Sequence, residues 1–354
     1  MKKLSGITIS LMLFGAAFFP CFVSFASAAQ SAVILQYHHF GSDTPPSTSV
    51  TMEQFEQHLQ YLYENGFSVW PLEKIVSYLQ EQKELPDKCV AITIDDAYIS
   101  VYERAFPLLK KYGWPFTVFV ATEGVDRGFA SYLSWDQMRE MTNNGAAFAG
   151  HSHTHSYLIN RLAGESEKDW RERVTKDIRT SFARLKDEIG VESRLFAYPY
   201  GEYNIALKDI VTGMGLVGFG QQSGAVWPGS DFGALPRFPM SAGYAAMKEF
   251  IIKVNCLPLP VVSAEPDDPE LPGDMLKPVL HLEIADGDYE KETLACYLSG
   301  LGLLRLQWID RDRGIVEVAP NAPLPEGRSR YNCTALHRDQ SRYFWYSHLW
   351  IRPR

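Results

Sequence analysis

Apolar residues along this chain fall into two rhythms. Short apolar runs, AVILQY from Ala32, CVAITID from Cys89, FTVFVA from Phe116, AAFAG from Ala146 and LFAYP from Leu195, read as strands. Between them lie amphipathic stretches. Met52–Asn65 sets Phe55, Leu59 and Leu62 at helical spacing, and Asp169–Ile189 is charged outside and apolar at Ile178, Phe182 and Leu185. Strand–helix alternation from Ser31 to about Val254 predicts an α/β fold with a mainly parallel sheet or barrel. In such folds the chemistry gathers where strands end and loops begin.

The texture changes near Leu257. The segment LPLPVVSAEPDDPELPGDMLKP is rich in Pro and acid, lacks periodicity, and reads as a linker over 257–278. Beyond it, over 279–354, short alternating segments (LHLEIA, LRLQWID, IVEVA, YFWYSHLWI) predict a small β-sandwich. Cys296, then Trp308, then Tyr331 and Cys333 repeat the order of an immunoglobulin-like core, in which a disulfide joins two sheets across a buried Trp. That order predicts a Cys296–Cys333 bridge. Cys89 opens a buried strand and reads as an inert core thiol.

The other end of the chain carries an address. Lys2 and Lys3 precede an apolar run from about Ile7 to Phe25 and then Ala26-Ser27-Ala28, the pattern of a signal peptide over 1–28. Export to the periplasm or outside the cell follows, where disulfides persist. The chain has 354 residues, and its formal net charge of −8 argues against a nucleic-acid partner. No stretch of the body is apolar enough for a membrane span.

Three segments carry candidate chemistry. Ile92-Thr93-Ile94-Asp95-Asp96 ends an apolar strand in two adjacent carboxylates. Alone, such a pair is usually a turn or a helix cap. Gly150-His151-Ser152-His153-Thr154-His155 puts three histidines into five residues, from only 9 in the chain. His151 and His155 can share one cation; with a carboxylate they make three protein ligands, leaving a position for water, as in a catalytic zinc site. Zn²⁺ lowers the pKa of such a water to about 7. Phe196-Ala197-Tyr198-Pro199-Tyr200-Gly201 ends another strand in a tight turn able to aim a backbone N–H at an oxyanion.

In this order the three segments resemble the motifs of the polysaccharide deacetylases of carbohydrate esterase family four, the NodB-homology domain. The resemblance covers roughly residues 31 to 254, within an expected domain of 29–256, and implies a distorted (β/α) barrel. It implies Asp95 as catalytic base, Asp96, His151 and His155 as metal ligands for Zn²⁺ or another divalent ion, and Tyr200 as backbone donor to the oxyanion. Its substrate would be an N-acetylated amino-sugar polymer: poly-N-acetylglucosamine, chitin-type or peptidoglycan. The chain departs from the pattern in three places. Ala97 stands where the first motif usually ends in Gly. Ala197 stands where the third usually carries an Arg that orients the base, a charge that Arg237 can supply from a later strand. The usual late leucine-x-histidine is missing. One branch, which includes deacetylases of poly-N-acetylglucosamine, instead carries the general-acid His on the first strand. Leu35-Gln36-Tyr37-His38-His39 fits that context and makes His38 the acid, with His39 as understudy.

Two other readings compete. Two His and one carboxylate also form the facial triad of non-haem iron oxygenases. The Ala97 and Ala197 departures and the appended sandwich also suit a glycan-binding protein without activity.

Overall fold

The computed structural model describes residues 30–353, so the leader expected over 1–28 lies outside them. Eight strands form one parallel sheet: β1 (Ala32–Tyr37), β2 (Ser68–Val69), β3 (Cys89–Asp95), β4 (Phe116–Val120), β5 (Ala146–Gly150), β6 (Leu195–Ala197), β7 (Val217–Phe219) and β8 (Phe238–Pro239). The order is β8-β1-β3-β4-β5-β6-β7, with β2 paired to the start of β3. A single parallel bridge, Phe219 to Leu235, brings the free edge of β7 back toward β8, so the sheet curls into an incompletely laddered ring. This is the distorted (β/α) barrel that the family resemblance implies, built on the mainly parallel sheet that the strand–helix alternation predicts.

Strand alternation sorts the side chains. Val33, Leu35 and Tyr37 of β1 and Val90, Ile92 and Ile94 of β3 face outward. There they pack against α1 (Met52–Glu64) through Phe55, Leu59 and Leu62. Ala32, Ile34, Ala91, Phe119, Ala149, Ala197 and Phe219 come from six strands into one cluster, which only the inside of a ring permits. The same parity points Gln36 of β1 and Thr93 and Asp95 of β3 inward, at the carboxyl ends of their strands. All three are fully buried. Among the described residues, six further helices of seven residues or more cover the ring: α2 (Leu72–Gln80), α3 (Phe106–Tyr112), α4 (Trp135–Thr142), α5 (Glu167–Ile189), α6 (Ile205–Gly213) and α7 (Met247–Val254). His58 of α1 stacks on Phe250 of α7 at 3.9 Å, a helix–helix packing role.

The carboxyl-terminal module has two sheets. One contains β9 (Leu257–Pro258), β12 (Ala295–Leu298), β13 (Gly302–Leu303), β16 (Gly327–Leu336) and β17 (Tyr343–Arg352), in the order β9-β17-β16-β12-β13. The other contains β10 (Val261–Glu265), β11 (Leu280–Ile284), β14 (Arg305–Asp310) and β15 (Ile315–Ala319), in the order β10-β11-β15-β14. Leu280, Leu282 and Val316 of one sheet meet Cys296, Tyr331 and Trp350 of the other in a single core.

Two expectations are corrected here. The segment 257–278 is no structureless linker: it carries β9 and β10, and Leu259 and Leu271 are buried in the sandwich core. Its prolines hide the period because β9 and β10 lie at sheet edges, where proline is tolerated. The Cys296–Cys333 disulfide forms, but between register partners on neighbouring strands of one sheet rather than across two sheets. The buried tryptophan is Trp350; Trp308 is only partly covered. The bridge closes a sequence separation of 37 residues. Replacing both cysteines with serine is expected to cost about 3–4 kcal/mol, read as a drop in the sandwich's denaturation midpoint. Cys89 and Cys256 are free and buried, and burial pushes each thiol up to about 12.

The two modules are welded. Leu349 and Ile351 of β17 pack with Leu207, Ile210 and Val211 of α6. Phe238 of β8 meets Trp345 edge-on at 5.3 Å. Among the described residues, no helix is long and apolar enough to cross a membrane.

Candidate active site

The carboxyl ends of β1, β3, β5 and β6 deliver His38, Asp95 with Asp96, His151 with His155, and Tyr200 to one region. One ligand atom each from Asp96, His151 and His155 lies within 4.8 Å of the others. The Asp96 Oδ1 is 3.3 Å from His151 Nε2 and 3.0 Å from His155 Nε2, yet no hydrogen bond of proper geometry reaches this buried oxygen. Ligands about 2.1 Å from a tetrahedral ion sit roughly 3.4 Å apart, so the spacing fits a cation better than mutual hydrogen bonds. Electrostatics agree. Burial alone would lower the His151 imidazole, but Asp96, Asp95 and the Ala197 carbonyl override it and raise it. Burial would raise Asp96, but both imidazoles hold it well below the usual carboxylate range. Such a set attracts positive charge.

The supporting contacts fix orientation. His151 Nδ1 bonds the Ala197 carbonyl oxygen at 2.7 Å, which makes Nδ1 the donor and leaves the Nε2 lone pair for a ligand role. Asp177 of α5 accepts from the His153 backbone N–H at 2.6 Å and from the Thr154 hydroxyl at 2.6 Å, pinning the histidine loop to the barrel. His153 itself turns away and meets the Thr122 hydroxyl at 2.8 Å.

Asp95 has a different setting. Arg237 grips it with both terminal nitrogens, at 2.7 and 2.8 Å, and the two side chains are wholly buried. Gln36 Nε2 donates to Oδ2 at 2.6 Å. Three of about four acceptor sites are thereby used, leaving one for another proton donor. Burial pushes the Asp95 pKa up, but Arg237, His151 and His38 outweigh it and hold it lowered. Arg237 thus brings to Asp95 the charge that Ala197 lacks. Sequence reasoning missed Gln36; its signal was a polar residue at an inward position of an apolar strand.

His38 Nε2 stands 3.9 Å from Asp95 Oδ2 and lines the cleft. Burial lowers its pKa, against the pull of Asp95 and Asp96. His39 stacks on Tyr98 at 3.6 Å and does not line the cleft. Trp227 lines a separate cavity.

Backbone strain gathers here. Of the nine non-glycine residues with left-handed φ among the described residues, five lie in this site: Asp96, Ala97, Ser152, His155 and Tyr200. Ala97, at φ 59°, takes the conformation that glycine would hold freely, at a cost of about 1–2 kcal/mol. Clustered strain of this kind marks positions whose geometry is held by their surroundings. Tyr200, at φ 61°, is held by a stack on Tyr157 at 3.9 Å and by Arg328 of β16, which donates to its carbonyl. Arg328 is a second residue that sequence reasoning missed.

The family model described as Polysaccharide deacetylase matches residues 82–219. A poly-beta-1,6-N-acetyl-D-glucosamine N-deacetylase of Staphylococcus epidermidis is 30% identical over 233 residues, covering 60% of this chain and 79% of that protein. The protein of that description from Escherichia coli K12 is 27% identical over 239 residues, covering 57% of this chain. The chain spans only 34% of the E. coli protein and 57% of a relative from Bacillus subtilis. Among solved structures, IcaB from Ammonifex degensii superimposes with a TM-score of 0.56 at 25% identity, covering 64% of this chain and 97% of that one. A Streptococcus pyogenes deacetylase, PplD, reaches a TM-score of 0.57 at 24% identity, covering 63% of this chain and 98% of that one, a likeness of fold.

Proposed function

This chain belongs to the polysaccharide deacetylase family, and from that premise we propose that it hydrolyses N-acetyl groups from an exported N-acetylglucosamine-containing glycan with a divalent ion, Zn²⁺ or similar. The observation carrying the proposal is the convergence of Asp96, His151 and His155 beside a second, separately held acid, Asp95. A divalent ion bound by those three residues would polarise the acetamide carbonyl and acidify a water. Asp95 accepts the proton of the attacking water through the acceptor site that Arg237 and Gln36 leave open. The turn at Tyr200 offers its backbone N–H to the developing oxyanion. His38, which lines the cleft beside Asp95, donates a proton to the departing amine. The products are acetate and a free amino sugar.

This assignment gives the second acid a role, which the facial-triad reading does not. The deciding experiment measures acetate release from poly-N-acetylglucosamine, chitooligosaccharides and peptidoglycan, side by side, after chelation and defined metal replacement. Glycan binding without acetate release from any of them would favour the inactive binder. Acetate release that survives complete chelation would remove the ion from the mechanism.

His151→Ala is expected to lose the ion and to drop acetate release to the level of metal-stripped protein. Metal analysis after reloading checks this, and undiminished metal content would overturn the ligand assignment.

A further inference from the structure

The cleft above the site has a wall that the barrel does not supply. Along β16, Gly327, Ser329, Tyr331, Cys333 and Ala335 are buried, while Arg328, Arg330, Asn332 and Thr334 on the opposite face line the cleft shared with His38, Asp96 and Tyr200. The cleft measures about 1070 Å³, at the upper end of the range for ligand sites and roomy for an oligosaccharide.

The charged groups that line this part of the cleft are unequally engaged. Arg328 is spent on the Tyr200 carbonyl, on Gln221 and on Glu202. Lys253 of α7 gives its ammonium to the Tyr244 carbonyl oxygen at 2.7 Å. Glu249, also of α7, adds one carboxylate to the lining. Arg330 is different: among the described residues its guanidinium has no hydrogen bond and no ion pair, and its Nε is buried without a partner. Burial and the neighbouring Arg328 push its pKa down to about 10, and no carboxylate offsets them. A half-covered guanidinium in that state costs stability until an acceptor meets it.

We propose that Arg330 anchors an anion subsite, and that the preferred substrate is an acidic amino-sugar glycan bearing a carboxylate near the acetamide. A planar fork of N–H donors matches a carboxylate in two parallel hydrogen bonds. One uncommitted guanidinium balances one negative charge, which favours a carboxylate over a dianionic phosphate. The sandwich therefore acts as a specificity wall for the barrel. The proposal rests on the deacetylase reading for the identity of the glycan.

The test compares a peptidoglycan-derived glycan strand carrying lactyl carboxylates with the same strand after reduction of those carboxyls to alcohols. Each is titrated calorimetrically into zinc-loaded Asp95→Asn protein, whose slowed turnover lets binding be read before the strand is consumed. The carboxylated strand is expected to bind about 10- to 100-fold more tightly. Arg330→Gln is expected to bring its affinity down to that of the reduced strand, and Arg330→Lys to recover part of the preference. Equal affinity for the two strands, which needs no Arg330 variant to observe, overturns the subsite. So does an Arg330→Gln protein that weakens both in equal proportion. Failure of the deacetylase reading is separately visible: unsubstituted protein would then release acetate from neither strand, whereas the titration still reports the subsite.

Discussion

An Asp95→Asn protein is expected to retain its divalent ion yet release acetate about 10²- to 10⁴-fold more slowly than the parent. The amide keeps the carboxylate's shape and one oxygen for Arg237, but it cannot take a proton from water. Asp96 cannot substitute, because its free oxygen is turned to the two imidazoles. The change also leaves the Arg237 guanidinium facing a neutral partner, so some loss of stability accompanies it. Assays therefore belong well below the variant's melting temperature, with metal content measured on the same sample. Turnover equal to the parent's at full occupancy would remove Asp95 from its role as base.

Much of this site was legible because strand ends are legible. Asp95-Asp96 and His151 follow runs whose apolarity declares them buried strands, and parallel strands send their carboxyl ends to one rim. Arg237 was harder. It precedes a strand of only two residues, too short to register as a period, and its partner lies 142 residues away. The single sequence signal was a charge missing at Ala197, which asked for a replacement somewhere. Gln36 and Arg328 gave less still. Gln36 is one polar residue in an apolar run, and Arg328 sits on a sandwich strand whose outer face reads as ordinary solvent-exposed surface. Periodicity tells which face of a strand is polar, not what that face meets. The same limit hid β9 and β10 inside a proline-rich stretch, where edge pairing to a neighbouring strand, not a local pattern, makes the structure.

The Asp95–Arg237 pair also ties stability to pH in a direction that can be worked out. In the parent, burial raises the Asp95 pKa, but Arg237, His151 and His38 win and leave it lowered. A lowered carboxylate adds stability above its unfolded pKa of about 3.9, and that contribution is lost as the pH falls through the folded value. Arg237→Met keeps an apolar stem and removes the foremost opposing charge, leaving a wholly buried carboxylate without its partner. The expected cost is about 3–5 kcal/mol near neutral pH. With burial now dominant, the Asp95 pKa should rise above the unfolded value, so the folded state binds a proton more readily. The deficit against the parent should therefore shrink as the pH falls toward 4 and widen toward neutrality. Urea denaturation midpoints of both proteins across that interval check the slope. The acidic limb of kcat/KM should move to higher pH by the same cause. The double variant Asp95→Asn/Arg237→Met buries no charge at this position, and it should recover about 1–3 kcal/mol relative to Arg237→Met alone. A deficit independent of pH, with no recovery in the double variant, would mean that Arg237 supports the barrel through packing and its bond to the Gly220 carbonyl rather than by holding Asp95 ionised.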